Sequence, residues 1–252
     1  MNNIIKNFLR VHLEAKKAIH SNTPIVGIDF SFVLNNLTYP DSLEVFKNIS
    51  KIVRKHKAIP ASIAIIDGVV KFGLTNDEVE MLAIKNDLPV LNKNDIPFFV
   101  LNNRTGLVDL PCCIELFNSI GINIIVTGVV DNSLENVFHL NVENTILICS
   151  TSCDCSFLSN NYIKNNCYKN NFSIVNLTKD NPQFLSDINL VDDLYKVLKI
   201  NNKIYPKRNT CIVNTNFYDY DNFSDTNLPI YANIKVASEL SILYCSNGIN
   251  KI

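Results

Sequence analysis

The sequence predicts a three-layer α/β/α fold around a mixed central sheet, and three observations carry that reading. Short apolar, β-branched runs alternate with amphipathic segments, the order expected of a sheet covered by helices. Several runs are almost continuously hydrophobic, as strands buried on both faces must be. One run is followed by Asp67-Gly68 and then by Val69 to Phe72, a hairpin signal that adds an antiparallel strand.

In chain order, strands are predicted at Pro24 to Ile28, Ser62 to Ile66, Ile122 to Val126, Thr145 to Cys149, Phe172 to Leu177 and Thr210 to Asn214. Helices fall between them. Ser42 to Lys57 sets Leu43, Phe46, Ile49, Ile52 and Val53 on one face at helical spacing. Thr75-Asn76-Asp77-Glu78 reads as a capping box that opens a helix carrying Val79, Leu82 and Ala83. Leu110 to Ile120, Leu190 to Ile200 and Ile234 to Cys245 complete the helical set. With no linker and no internal repeat, residues 1–252 read as a single domain.

Composition narrows the function. The chain is 47% hydrophobic and 19% charged, with a net charge of -1, so no basic excess points to nucleic acid. Only seven glycines occur, and neither GxGxxG nor GxxxxGK[ST] is present, which argues against dinucleotide and P-loop functions. No run of 18 apolar residues and no secretory leader are visible, so the expectation is a cytoplasmic protein without a membrane partner. The eight cysteines lack a disulfide framework and read as reduced thiols. Cys149, Cys153 and Cys155 cluster without a CxxC pair or a histidine to complete a zinc site. The asparagine-rich stretch from Ser159 to Asn171 reads as a solvated loop.

More specific information lies in the order of residues between Pro24 and Gly128. Ala58-Ile59-Pro60-Ala61-Ser62-Ile63-Ala64-Ile65-Ile66-Asp67-Gly68 is a long, gap-free run that no generic strand requires, and Phe72-Gly73-Leu74 follows it. Around it stand Ile28-Asp29-Phe30-Ser31, Thr38-Tyr39-Pro40, Asn94-Asp95-Ile96-Pro97, Thr105-Gly106-Leu107-Val108-Asp109 and the strand from Ile120 to Gly128. Further on, Cys211-Ile212-Val213-Asn214 and Pro229-Ile230-Tyr231-Ala232-Asn233-Ile234 add weaker signals. Together these resemble the pseudouridine-5′-phosphate glycosidase family, also called indigoidine synthase A-like. The resemblance spans the chain but is sharp only in its first half.

The resemblance implies a pseudouridine-5′-phosphate glycosidase-like fold, a homotrimer, and cleavage of the C1′–C5 bond of pseudouridine 5′-phosphate to uracil and ribose 5-phosphate. The chemistry it implies uses a lysine that forms a Schiff base with the ring-opened sugar, a carboxylate for proton transfer, and Mn²⁺. A lysine suits this role because desolvation lowers its pKa towards neutrality. Asp29 stands where the family has its glutamate, and Asn214 matches a family asparagine. Thr105 and Gly106 match the sugar-phosphate turn.

Other positions depart from the pattern. Cys153 falls where the Schiff-base lysine belongs, and a thiol forms no imine. Val90 falls at the second lysine, with Lys93 three residues on as a replacement ammonium or an ordinary surface charge. The glycine-rich loop is replaced by Gly128-Val129-Val130-Asp131-Asn132-Ser133-Leu134-Glu135. Asp109 reads as the N-cap of the helix from Leu110, the alternative being a carboxylate that repels phosphate. The metal ligand is unassigned; His139 and Glu143 lie near its expected place, His139 reading first as a packing or surface histidine.

Two functional readings follow. The first is a catalytically impaired family member that keeps the fold as a binding or structural protein and needs no cofactor. The alternative is an active glycosidase with relocated groups, binding a sugar phosphate and Mn²⁺, with Lys93, Arg104, Lys207 and Arg208 available for the phosphate. A degenerate subunit joining an active paralogue is a third arrangement.

Overall fold

The computed structural model describes residues 8–85, 87–130, 137, 140, 142, 144–151, 172–178, 187–188, 191–204, 210–217 and 229–246. The first half runs β1 (Leu9–Val11), α1 (Leu13–Ser21), β2 (Ile25–Ile28), α2 (Phe30–Asn36), α3 (Asp41–Lys55), β3 (Ile59–Ile66), β4 (Val69–Phe72) and α4 (Asn76–Ile84). Next come β5 (Val90–Leu91), α5 (Ile96–Leu101), β6 (Leu107–Val108), α6 (Leu110–Ser119) and β7 (Ile124–Val130). The described remainder is β8 (Ile146–Thr151), β9 (Phe172–Thr178), β10 (Asp187–Ile188), α7 (Val191–Ile204), β11 (Thr210–Phe217) and α8 (Pro229–Ser246).

Nine strands form one sheet in the order β1-β4-β3-β2-β7-β8-β11-β9-β10, while β5 and β6 pair separately. From β3 to β10 every pairing is parallel. Antiparallel pairing enters where β4 returns beside β3, and β1 then lies parallel to β4. The sheet is therefore mixed, as the sequence predicts. Asp67 (φ 48°) and Gly68 (φ 72°) close the β3–β4 hairpin with both residues left-handed, the geometry that fits a two-residue turn to twisted strands. A Cβ on Gly68 would lie 2.6 Å from the Val100 carbonyl oxygen, so the position needs glycine on two counts.

Alternation along the parallel strands separates two cores. Val26, Ile28, Ala64, Ile66, Val126 and Ile148 face the helical layer of α3, α7 and α8. Ile63, Ile65, Ile125, Leu147 and Ile212 face α6 through Cys113, Ile114 and Phe117. Burying each such side chain is worth about 1.5–3 kcal/mol, which is why the continuous apolar runs identify the sheet. On α3, Leu43, Phe46, Ile49 and Val53 are buried, as their spacing requires. Thr75 and Glu78 form the reciprocal capping box, and Val79, Leu82 and Ala83 are the buried residues of α4.

The predicted strands all appear, with shifted ends. β3 begins at Ile59, because Pro60 sits opposite Val26 in the ladder without needing an N–H of its own. β7 starts two residues late and runs on to Val130, and β11 runs on to Phe217 past a register irregularity. The short elements β1, α1, α2, β5, α5, β6 and β10 carry no signal strong enough to predict. Among the described residues no helix is long and apolar enough to cross a membrane.

Candidate active site

The chain runs from β2 out to β3 and β4 on one side, then returns to lay β7 on the other side of β2. The crevice beyond the carboxyl ends of β2 and β7 is thus a topological switch point, the place where open α/β sheets bind ligands. Asp29 ends β2 there. It is 3% exposed and is the N-cap of α2, its Oδ1 accepting from the Phe32 N–H at 3.4 Å. Ser31 Oγ donates to the same oxygen at 2.6 Å, and Thr127 Oγ1 on β7 donates to Oδ2 at 2.7 Å. The Asp29 N–H donates to the Val126 carbonyl at 2.9 Å, so backbone and side chain together tie β2 to β7.

Burial raises the Asp29 pKa, partly offset by the hydrogen bonds from Ser31, Thr127 and the backbone, and no cation among the described residues shifts it. Asp109 is the second carboxyl of the region. It caps α6 by accepting from the Cys112 N–H at 2.9 Å, which bears out the N-cap reading. Its pKa is raised by burial first and then by repulsion from Asp29, Asp95 and Glu115.

Behind Asp29 the polar chain continues through the core. Asn233, fully buried in the first turns of α8, donates Nδ2 to the Thr127 carbonyl at 2.8 Å and, more weakly, to that of Gly128 at 3.4 Å. Its Oδ1 accepts from Ser150 Oγ on β8 at 3.2 Å and from Thr215 Oγ1 on β11. Ser150 and Thr215 are also bonded to each other at 3.1 Å. One asparagine thereby joins the ends of three neighbouring strands. Asn214, the residue before Thr215, is buried on β11 in register with Cys149 on β8 and Asn176 on β9. At the Gly128 end, a Cβ would lie 2.0 Å from the Phe32 ring, so the aromatic side chain of α2 rests directly on that glycine.

The remaining described candidates make no hydrogen bond to Asp29. Thr105 Oγ1 accepts from the Asp67 N–H at 3.2 Å and faces Asp67 Oδ1 at 3.3 Å, while Gly106 exchanges both backbone hydrogen bonds with Ile65 at 2.9 Å. Both residues hold the β3–β4 turn against the chain entering β6. Lys93 is 73% exposed and paired with Glu115 at 2.9 Å. Val90 is exposed on β5, and Arg104 is exposed and stacks over Phe98 and Phe99. Cys153, Cys155, His139, Glu143, Lys207 and Arg208 lie outside the described residues.

Among the described residues no three His, Cys, Asp or Glu side chains come together to hold a metal ion. Asp29 and Asp109 alone are a set too small for Mn²⁺, and each Asp29 oxygen accepts a hydroxyl hydrogen bond. Cys112 and Cys149 are pushed up to about 12 by burial, and Cys113 is raised well above the ordinary thiol range, so these thiols are inert packing groups.

A family model for indigoidine synthase A-like protein matches residues 14–154. The chain belongs to that family. Among curated relatives, the pseudouridine-5′-phosphate glycosidase of Clostridium botulinum is 32% identical over 126 residues, which is 50% of this chain and 41% of that protein. The enzyme of the same name from Dinoroseobacter shibae is 29% identical over 124 residues, 49% of this chain and 41% of its own length. The matched segment therefore accounts for less than half of either relative. Fold likeness extends further than sequence likeness. The crystal structure of an indigoidine synthase A-like protein from Thermotoga maritima superposes with a TM-score of 0.71 at 15% identity, covering 94% of this chain and 97% of that one. That of the prealnumycin C-glycosynthase AlnA, in complex with ribulose 5-phosphate, gives 0.67 at 14% identity, covering 94% and 90%. The family match contains Asp29, Thr127 and Ser150. Thr215 and Asn233 lie beyond it.

Sequence reasoning singled out Asp29 and Asn214 as candidates but assigned no role to Ser31, Thr127, Ser150, Thr215 or Asn233. A signal was available in two of these cases. Thr127 breaks an otherwise apolar strand, and Asn233 sits between Ala232 and Ile234 in an apolar helix, where an amide has to find buried partners.

Proposed function

We propose that this chain is a catalytically impaired member of the family, which keeps the fold and the polar ends of its strands as a structural or binding protein. The observation that carries the reading is the state of Asp29. Its oxygens accept from Ser31 and Thr127, and among the described residues no cation shifts its pKa. In sequence, Cys153 and Val90 stand where the resemblance puts the two lysines, which agrees with this reading.

The raised pKa of Asp29 favours a second reading, since a buried carboxyl at a switch point suits proton transfer. In that case the chain cleaves pseudouridine 5′-phosphate with Mn²⁺ bound by groups other than those described above. One assay separates the two. Pseudouridine 5′-phosphate is incubated with the chain, with and without Mn²⁺, beside the Clostridium botulinum relative, and ultraviolet absorbance is followed. The reverse condensation of uracil with ribose 5-phosphate is run in parallel. No turnover from a folded protein is expected. Turnover that Asp29→Ala abolishes overturns the impaired reading.

A further inference from the structure

A cleft of about 300 Å³ opens between α1, α3, the start of β3 and the turn from β4 into α4. It shares no residue with the chain of hydrogen bonds from Asp29 to Thr215, and it lies beside the amino-terminal half of β3 rather than at the switch point. Its polar lining includes His12, Glu14, Arg54, Ser62 and Thr75, and Phe46 contributes an aromatic wall.

The deepest polar group is Ser62. The residue is 2% exposed, and its hydroxyl has no hydrogen-bond partner among the described residues. Ser31, Ser150, Ser238 and Ser241 are all hydrogen-bonded, while the Ser42 hydroxyl is buried in the core without a partner among the described residues. The hydroxyl opens onto the cleft and is not sealed from solvent, so water pairs with it and a ligand hydroxyl can take that water's place. The Ser62 carbonyl accepts from the Gly73 N–H at 2.8 Å, which holds the residue in place.

The rim defines the ligand's charge. Arg54 Nη1 and Nη2 donate to the two oxygens of Glu14, the second at 2.8 Å. Each partner moves the other's pKa towards the charged form, so the pair stays ionised and cancels its own charge. The guanidinium retains three N–H donors and the carboxylate retains lone pairs. An anion would meet Glu14 and a cation would meet Arg54. A hydroxyl group, which both donates and accepts, can use either. Phe46 and Leu74 supply an apolar wall for C–H groups, and the volume lies at the small end of ligand sites.

We infer that this cleft is a second small-molecule site, and that it takes a neutral, hydroxyl-rich molecule of sugar size. Ser62 forms the floor contact and the Glu14–Arg54 pair the rim. The site stands whether or not the switch point is catalytic. The test titrates the isotopically labelled full chain with D-ribose, D-glucose and inositol in turn, and then with ribose 5-phosphate, recording backbone amide shifts.

Saturable shifts confined to amides near residues 12–15, 60–62 and 73–76 are expected for at least one neutral compound. Ser62→Ala weakens that binding by about 3- to 10-fold, the loss of one neutral hydrogen bond. Ser62→Val fills the floor and removes binding, with a melting temperature at or above that of the parent. Asp29→Asn leaves the shifts unchanged. Absence of saturable shifts with all three neutral compounds overturns the inference. So does ribose 5-phosphate binding far more tightly than D-ribose, or Ser62→Ala binding as tightly as the parent.

Discussion

Asn233→Ala tests whether the polar chain behind Asp29 is a structural tie. The substitution removes two donated and two accepted hydrogen bonds in a fully buried position. Not all of the four partners are stranded. Ser150 and Thr215 keep each other, and Thr215 can still donate to the Cys149 carbonyl at 3.3 Å. The Thr127 carbonyl loses its side-chain partner, and one hydroxyl loses an acceptor. At about 1–3 kcal/mol for each buried group left unmatched, the expected loss is about 3–5 kcal/mol. For a chain of this size that lowers the melting temperature by about 10 °C. Urea unfolding followed by far-ultraviolet circular dichroism should show a lower midpoint at unchanged slope. A variant as stable as the parent, or more stable, refutes the reasoning. It would mean that the buried amide is a strained group retained for chemistry, since removing such groups commonly stabilises an enzyme.

Two further substitutions probe the same region. Asp29 has a folded-state pKa above its unfolded value, so its favourable contribution is full below the unfolded pKa and is lost as pH rises through the folded one. Asp29→Asn should therefore gain stability relative to the parent as pH climbs from about 4, by up to about 1.4 kcal/mol for each pH unit until the folded-state pKa is passed. The Ser31 and Thr127 hydroxyls rotate to suit the amide. Thermal melts from acid to neutral pH check it, and a difference that stays flat with pH contradicts it. Gly128→Ala puts a methyl 2.0 Å from the Phe32 ring and should cost about 1–3 kcal/mol, most of which Phe32→Ala in the same chain restores. Urea midpoints of the single and double variants check it, and a double variant no more stable than Gly128→Ala contradicts it.

The layers of this fold were legible because the strands are buried on both sides. A run such as Ile63 to Ile66 feeds two cores at once, so it had to be apolar throughout and could be read without knowing its neighbours. The capping box at Thr75 and the Asp67-Gly68 turn were equally legible, since each is fixed by residues close together in sequence. β1, β5, β6 and β10 were not, because two or three residues carry no period and depend on a partner strand far along the chain. The candidate site divides along the same line. Asp29 and the Asp109 cap could be assigned locally, whereas Asn233 meets Thr127 across 106 positions and Ser150 across 83.

That long-range character bears on how function can be lost here while the fold survives. An imine-forming lysine acts through one side chain, and replacing it leaves the strand beneath intact. The hydroxyls and amide at the strand ends do a second job, since without them the buried carboxyl of Asp29 and the Thr127 carbonyl would lose side-chain partners. A chain that no longer performs the chemistry must still keep these groups or replace them together. Replacing one at a time passes through an unsatisfied state costing about 1–3 kcal/mol, a large fraction of a typical folding stability of about 5–15 kcal/mol. The presence of a carboxyl at Asp29, a threonine at Thr127 and an amide at Asn233 is therefore what structure alone would enforce. It does not by itself argue for turnover, whereas a lysine beside them would, having no packing role to preserve it.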